Sequence, residues 1–115
     1  MTKPEYSGTR DLTYSRWHRT IGDECIATNI DWVEVRYGKI KAIIEDKDDR
    51  SKGIPSWQLR IMNEIATSMG VPLYIVFHNC TYKPETEWQF RVLNFKESHS
   101  VIMNRDEYKK FLKSL

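Results

Sequence analysis

Residues Asn29–Lys47, NIDWVEVRYGKIKAIIEDK, decide how this chain folds. Two runs rich in β-branched residues flank Tyr37-Gly38 and read as a β-hairpin. In an antiparallel pair, directly opposed residues share a face of the sheet, so the length of the turn decides which side chains meet. With Gly38 at the centre of an odd-length turn, Val35 faces Lys41, Val33 faces Ile43 and Asp31 faces Glu45. Lys47 then lies one pleat beyond Glu45 on the same side. A two-residue Tyr37-Gly38 turn would set Asp31 opposite Ile44 and split the acids between faces. The odd loop is preferred because glycine accepts the left-handed geometry that three-residue hairpin loops and their bulges require.

In the preferred register two carboxylates and an ammonium gather at the open end of the hairpin, above a floor of Val33 and Ile43. Hard carboxylate oxygens suit Mg²⁺, which keeps several of its waters. A cation so held can generate a nucleophile and stabilise charge on a phosphate, and a neighbouring lysine adds positive charge where negative charge develops. Each residue alone is ordinary: Asp31 can close a strand start, and Glu45 with Lys47 can form the solvated face of an edge strand. An acid-x-Lys triplet is also common in a chain that is 30% charged, and Glu107-Tyr108-Lys109 repeats it in a helical segment. The weight rests on the three residues together and on the elements around them.

The chain has 115 residues, 40% hydrophobic and 12% aromatic, enough for one core and a single domain over residues 1–115. Its 18 Lys and Arg against 16 Asp and Glu leave a net charge of only +2, so bulk charge does not mark a nucleic-acid binder. No apolar run approaches a membrane span and the opening MTKPEYSGTR is polar, which leads us to expect a soluble, cytoplasmic protein. Cys25 and Cys80 are expected to be free thiols. His18, Cys25, His78, Cys80 and His99 match no zinc-ligand spacing and read as partly buried residues at strand ends.

Upstream of the hairpin, TYSRWHRTI spaces Trp17 and Ile21 as a short amphipathic helix that Gly22-Asp23 ends. Downstream, DDRSKGIPS reads as a loop able to reach over the site. Ser56 then caps a helix whose Leu59, Met62, Ile65, Ala66 and Met69 form one stripe, closed by Gly70 and Pro72. The continuously apolar PLYIVF, residues 72–77, predicts a central strand covered on both faces. Residues 87–95 predict its partner, residues 100–103 a further short strand. Asn104 with Glu107 forms a capping box for a terminal helix that buries Tyr108, Phe111, Leu112 and Leu115. The expected fold class is a mixed α/β sandwich.

With Ile30-Asp31 and Glu45-Asp46-Lys47 set in this order of elements, the chain resembles the PD-(D/E)xK nuclease superfamily over about residues 13–78. That family includes Holliday-junction resolvases and small archaeal and phage nucleases. The resemblance implies a restriction-endonuclease-like αβββαβ core with a mixed central sheet flanked by helices, the C-terminal strands and helix being additions. It implies that Asp31 and Glu45, with the backbone carbonyl of Asp46, hold Mg²⁺ or Mn²⁺, and that Lys47 orients or activates water. The expected activity is metal-dependent phosphodiester hydrolysis in DNA, with RNA as the other substrate class and a homodimer as the assembly. A catalytically silent nucleic-acid-binding or protein-assembly module of the same fold is the alternative.

Ile30 stands where the family has Pro, and the extra Glu many relatives carry on the first helix is replaced here by His18 and Arg19, with Glu24 just after. Gln58 loosely matches a polar position after the triplet, so Gln58, His18 and Arg19 are supporting candidates. Arg16, Arg50, Lys52 and Arg60 flank the site in sequence and are candidate phosphate contacts. As separate surface charges they would need no explanation. Trp32 and Trp57 could stack on bases, but four tryptophans in a small domain read first as core.

Overall fold

The computed structural model describes residues 13–22 and 30–115. Among these the order is α1 (Thr13–Arg19), β1 (Trp32–Arg36), β2 (Lys39–Asp48), α2 (Ser56–Ser68), β3 (Leu73–His78), β4 (Gln89–Asn94), β5 (His99–Asn104) and α3 (Arg105–Ser114), with a short 3₁₀ turn at Glu85–Glu87. The strands form one mixed sheet in the order β1-β2-β3-β4-β5. Only β2 and β3 run parallel, joined through α2, and the remaining neighbours are antiparallel. Two strands, not the three of the expected core, separate α1 from α2 among the described residues. No described helix is long and apolar enough to cross a membrane.

The predicted central strand is found at the middle of the sheet, and its alternation feeds two cores. Leu73 and Ile75 join Ile43 beneath Met62 and Ala66 of α2. Val76 joins Ile44, Phe90 and Val92 on the other face, against Tyr108, Phe111 and Leu112 of α3. Phe90 stacks on Tyr108 at 4.2 Å and Tyr74 meets Phe111 edge-on at 5.0 Å, which locks α3 to its face. The capping box at Asn104 forms with both of its hydrogen bonds. Helix α2 starts differently from expectation. Ser56 is its first residue and makes no cap; the Pro55 carbonyl instead accepts from the Gln58 and Leu59 amides. Met69 leaves the expected stripe and is exposed just as Gly70, at φ +69°, turns the chain out of the helix.

The hairpin corrects the predicted turn. Arg36 pairs with Lys39 and Val35 with Ile40, so the loop is the two-residue Tyr37-Gly38, with both residues left-handed at φ 52° and 73°. That backbone follows the right-handed twist of the strands, and it wins although Tyr37 must leave its preferred region. The predicted Val35 to Lys41 pairing is therefore overturned. A bulge between Glu34 and Val35 then takes up Lys41 as an extra residue, and beyond it Glu34 pairs with Ala42, Val33 with Ile43 and Trp32 with Ile44. The register that sets Asp31 level with Glu45 is reached by a short turn plus a bulge.

Candidate active site

Strand β2 puts Ile43, Glu45 and Lys47 on the face that α2 covers, and Ile44 and Asp46 on the face that α3 covers. Glu45 is 2% exposed, an unusual position for a carboxylate. Its Oε1 lies 3.8 Å from Lys47 Nζ, and its Oε2 is buried without a hydrogen-bond partner among the described residues. Asp31, just ahead of β1, accepts a hydrogen bond from the Asp46 amide at 3.3 Å and faces the Glu45 carboxyl. Asp31, Glu45 and Lys47 are thus brought together as the sequence predicted.

Electrostatics make this an unstable home for two negative charges. Burial, and then the Asp31 carboxyl opposite, push Glu45 up to about 7, against the opposing pull of Lys47. Burial likewise raises Asp31, helped by the Asp46 charge and resisted by the Asp46 amide. A proton shared between the two carboxyls relieves their repulsion, and a cation would do so too.

Asp46 does the reverse. The Trp32 indole donates to its Oδ1 at 2.9 Å, and His78 Nε2 lies 2.9 Å from its Oδ2. His78 Nδ1 accepts from the Cys80 amide at 3.3 Å, so Nε2 carries the proton and donates. Burial pushes Asp46 up, but the bonds from His78, Trp32 and Asp31 outweigh it and hold the carboxyl below its usual range. Its side chain lies on the face of the sheet opposite Glu45. Its backbone remains beside Asp31, where the resemblance assigned a carbonyl ligand.

Among the described residues no group of three or more His, Cys, Asp or Glu is arranged to hold a metal. The oxygen donors brought together are the carboxyls of Asp31 and Glu45, a small set that suits a cation retaining water. Asp48 is claimed by Arg50 through paired bonds of 3.0 and 2.9 Å, and by the Thr81 hydroxyl. Those bonds, Arg50 first, hold Asp48 well below the usual carboxylate range.

The other candidates divide. Gln58 sits in the first turn of α2, half-buried, and its side chain makes no hydrogen bond to another described residue. His18 lies against Tyr14 of its own helix at 6.1 Å, and neither it nor Arg19 is brought against the carboxylates by any described contact. Glu24 and Cys25 fall outside the described residues. Arg50, besides holding Asp48, covers the Tyr82 ring at 4.0 Å. Arg16, Lys52 and Arg60 are exposed. Trp17, Trp32 and Trp57 are exposed at 57%, 52% and 43%, which overturns their reading as core. Cys80 is a free thiol.

Sequence reasoning missed His78 and Trp32 as the partners that turn Asp46 aside. The missing signal is the parallel pairing, which sets Asp46 beside Val76 and Asp48 beside His78 and so gives His78 the face of Asp46. Compared with known proteins, the chain matches no family model, no curated protein and no solved structure.

Proposed function

We propose that the protein is a metal-dependent nuclease that hydrolyses phosphodiester bonds, DNA being the first substrate class. One observation carries the reading: a carboxyl oxygen of Glu45, buried and without a hydrogen-bond partner among the described residues, next to Asp31 and Lys47. Two carboxyls held against one another in a buried site are costly to charge together, and a bound cation would offset that cost.

Asp31 and Glu45 would hold Mg²⁺ or Mn²⁺, with the Asp46 main-chain carbonyl as a third donor. When bound, the cation supplies positive charge to the scissile phosphate and acidity to water. The protein's own part is to surrender the proton shared by Asp31 and Glu45, to keep both carboxylates fixed on adjacent strands, and to present Lys47. Its ammonium, 3.8 Å from Glu45 Oε1, stays on the site's face and adds charge where the phosphorane-like transition state becomes more negative. RNA as substrate and a homodimer presenting two sites belong to the same proposal.

The test incubates the protein with plasmid, linear, branched and single-stranded DNA and with RNA, in Mg²⁺, Mn²⁺ or EDTA, beside Glu45→Ala and Lys47→Ala. Metal-dependent cutting lost in both variants supports the enzyme. Binding without cutting favours the silent module of the same fold, and no interaction with any substrate sinks both.

A further inference from the structure

The face of the sheet opposite Glu45 carries a cavity of about 320 Å³ that the nuclease reading does not use. It opens between β1, the centre of the sheet and α3. Its floor is Ile44, Val76 and Leu112, and its aromatic surfaces are Trp32, Phe90 and Tyr108. Most of the lining is apolar, as in sites that bury the body of a small ligand and orient it with a few polar groups.

The carboxylates of the lining share one sign. Glu34 and Asp46 both line the cavity, and among the described residues no lysine or arginine does. The nearby Arg36 guanidinium is committed to the carbonyls of Val35 at 2.9 Å and Leu112 at 2.7 Å. His78 has both ring nitrogens engaged, with Asp46 and with the Cys80 amide. Glu34 is half-buried and makes no hydrogen bond or ion pair with another described residue. Tyr108 senses this field: burial first, then the charges of Glu34, Asp46 and Cys80, push its hydroxyl up to about 12, so it remains a neutral donor.

We propose that this cavity binds a small organic monocation with an aromatic or apolar body, its charge directed to Glu34 and its body against Trp32, Phe90 and Tyr108. Carboxylate and aromatic faces both attract such a cation, and desolvation strengthens the pairing. A nucleotide is disfavoured, because its phosphate would approach two acids and no lysine or arginine among the described residues lines the cavity to offset them. The proposal stands whether or not the opposite face cuts DNA.

The test uses the full chain with benzamidine as probe, beside the neutral benzyl alcohol, the anionic benzoate and adenosine, followed by tryptophan fluorescence and saturation-transfer NMR. Benzamidine should bind at least about tenfold more tightly than benzyl alcohol, and benzoate and adenosine should not compete with it. Glu34→Gln should weaken benzamidine at least about fivefold while leaving benzyl alcohol unchanged and the melting temperature within a few degrees. Leu112→Trp, which fills the cavity from α3, should remove binding of both. Equal affinity for benzamidine and benzoate, equal or tighter binding of adenosine, an unaltered Glu34→Gln, or no binding of benzamidine would each overturn the proposal.

Discussion

Glu45 and Asp46 are consecutive acids on one strand, and the two faces of the sheet treat them in opposite ways. On the α2 face Glu45 meets another carboxyl, an ammonium 3.8 Å away and, among the described residues, no hydrogen-bond partner for Oε2. On the α3 face Asp46 receives an indole and an imidazole N–H. Burial alone would raise both carboxyls, so the difference lies in the neighbours each face supplies. A satisfied buried carboxylate is architecture; an unsatisfied one points to a missing partner.

The sharpest way to break this contrast is catalytic. Glu45→Ala should lower metal-dependent cutting by roughly a thousandfold, whereas Asp46→Asn should lower it by about tenfold or less, because its side chain reaches the site only through its bond to Asp31. Single-turnover rates in saturating Mn²⁺ measure both. Equal losses would mean that the two acids share one role.

Stability against pH comes next. Glu45 has a folded value of about 7 against an ordinary 4.5, so the folded state holds its proton more tightly. Its protonated form favours folding fully below about pH 4.5, and that advantage is lost as pH rises through 7. Urea unfolding in EDTA should show a decline on the order of 3 kcal/mol across that window, and Glu45→Gln should flatten it. Asp46, held below its ordinary value, gives the opposite sign: its contribution is present at neutral pH and lost as pH falls into the acid range. A wild-type curve that rises between pH 5 and 7 would contradict the assignment of Glu45.

Cutting the supports of Asp46 is a smaller perturbation. His78→Ala should cost about 1–3 kcal/mol by leaving a carboxylate oxygen without its donor, measured by urea unfolding at pH 7. The smallest effect is expected at the hairpin. Tyr37 is fully exposed and left-handed, so Tyr37→Asn should gain about 0.5–1 kcal/mol by relieving backbone strain, with activity unchanged. Loss of activity there would show that the turn, and not the bulge, maintains the site.

Much of the fold was legible from local pattern. The stripe of α2, the capping box of α3, the apolar run of β3 and the hairpin around Gly38 follow from backbone chirality and from the 3.6 and 2.0 residue periods of helix and strand. Those rules act over a few residues, so the sequence alone determined them. It also determined that Asp31, Glu45 and Lys47 belong to one neighbourhood, because a hairpin can join them in few ways. Only the tertiary structure decided how they are joined. The two-residue turn and the bulge at Lys41 make compensating shifts that no three-letter motif records. Only the parallel pairing of β2 with β3 placed His78, far along the chain, beside Asp46, while Glu45 was buried on the other face with no partner for Oε2 among the described residues. A carboxylate's state depends on burial and on partners brought from distant segments, and local sequence specifies neither.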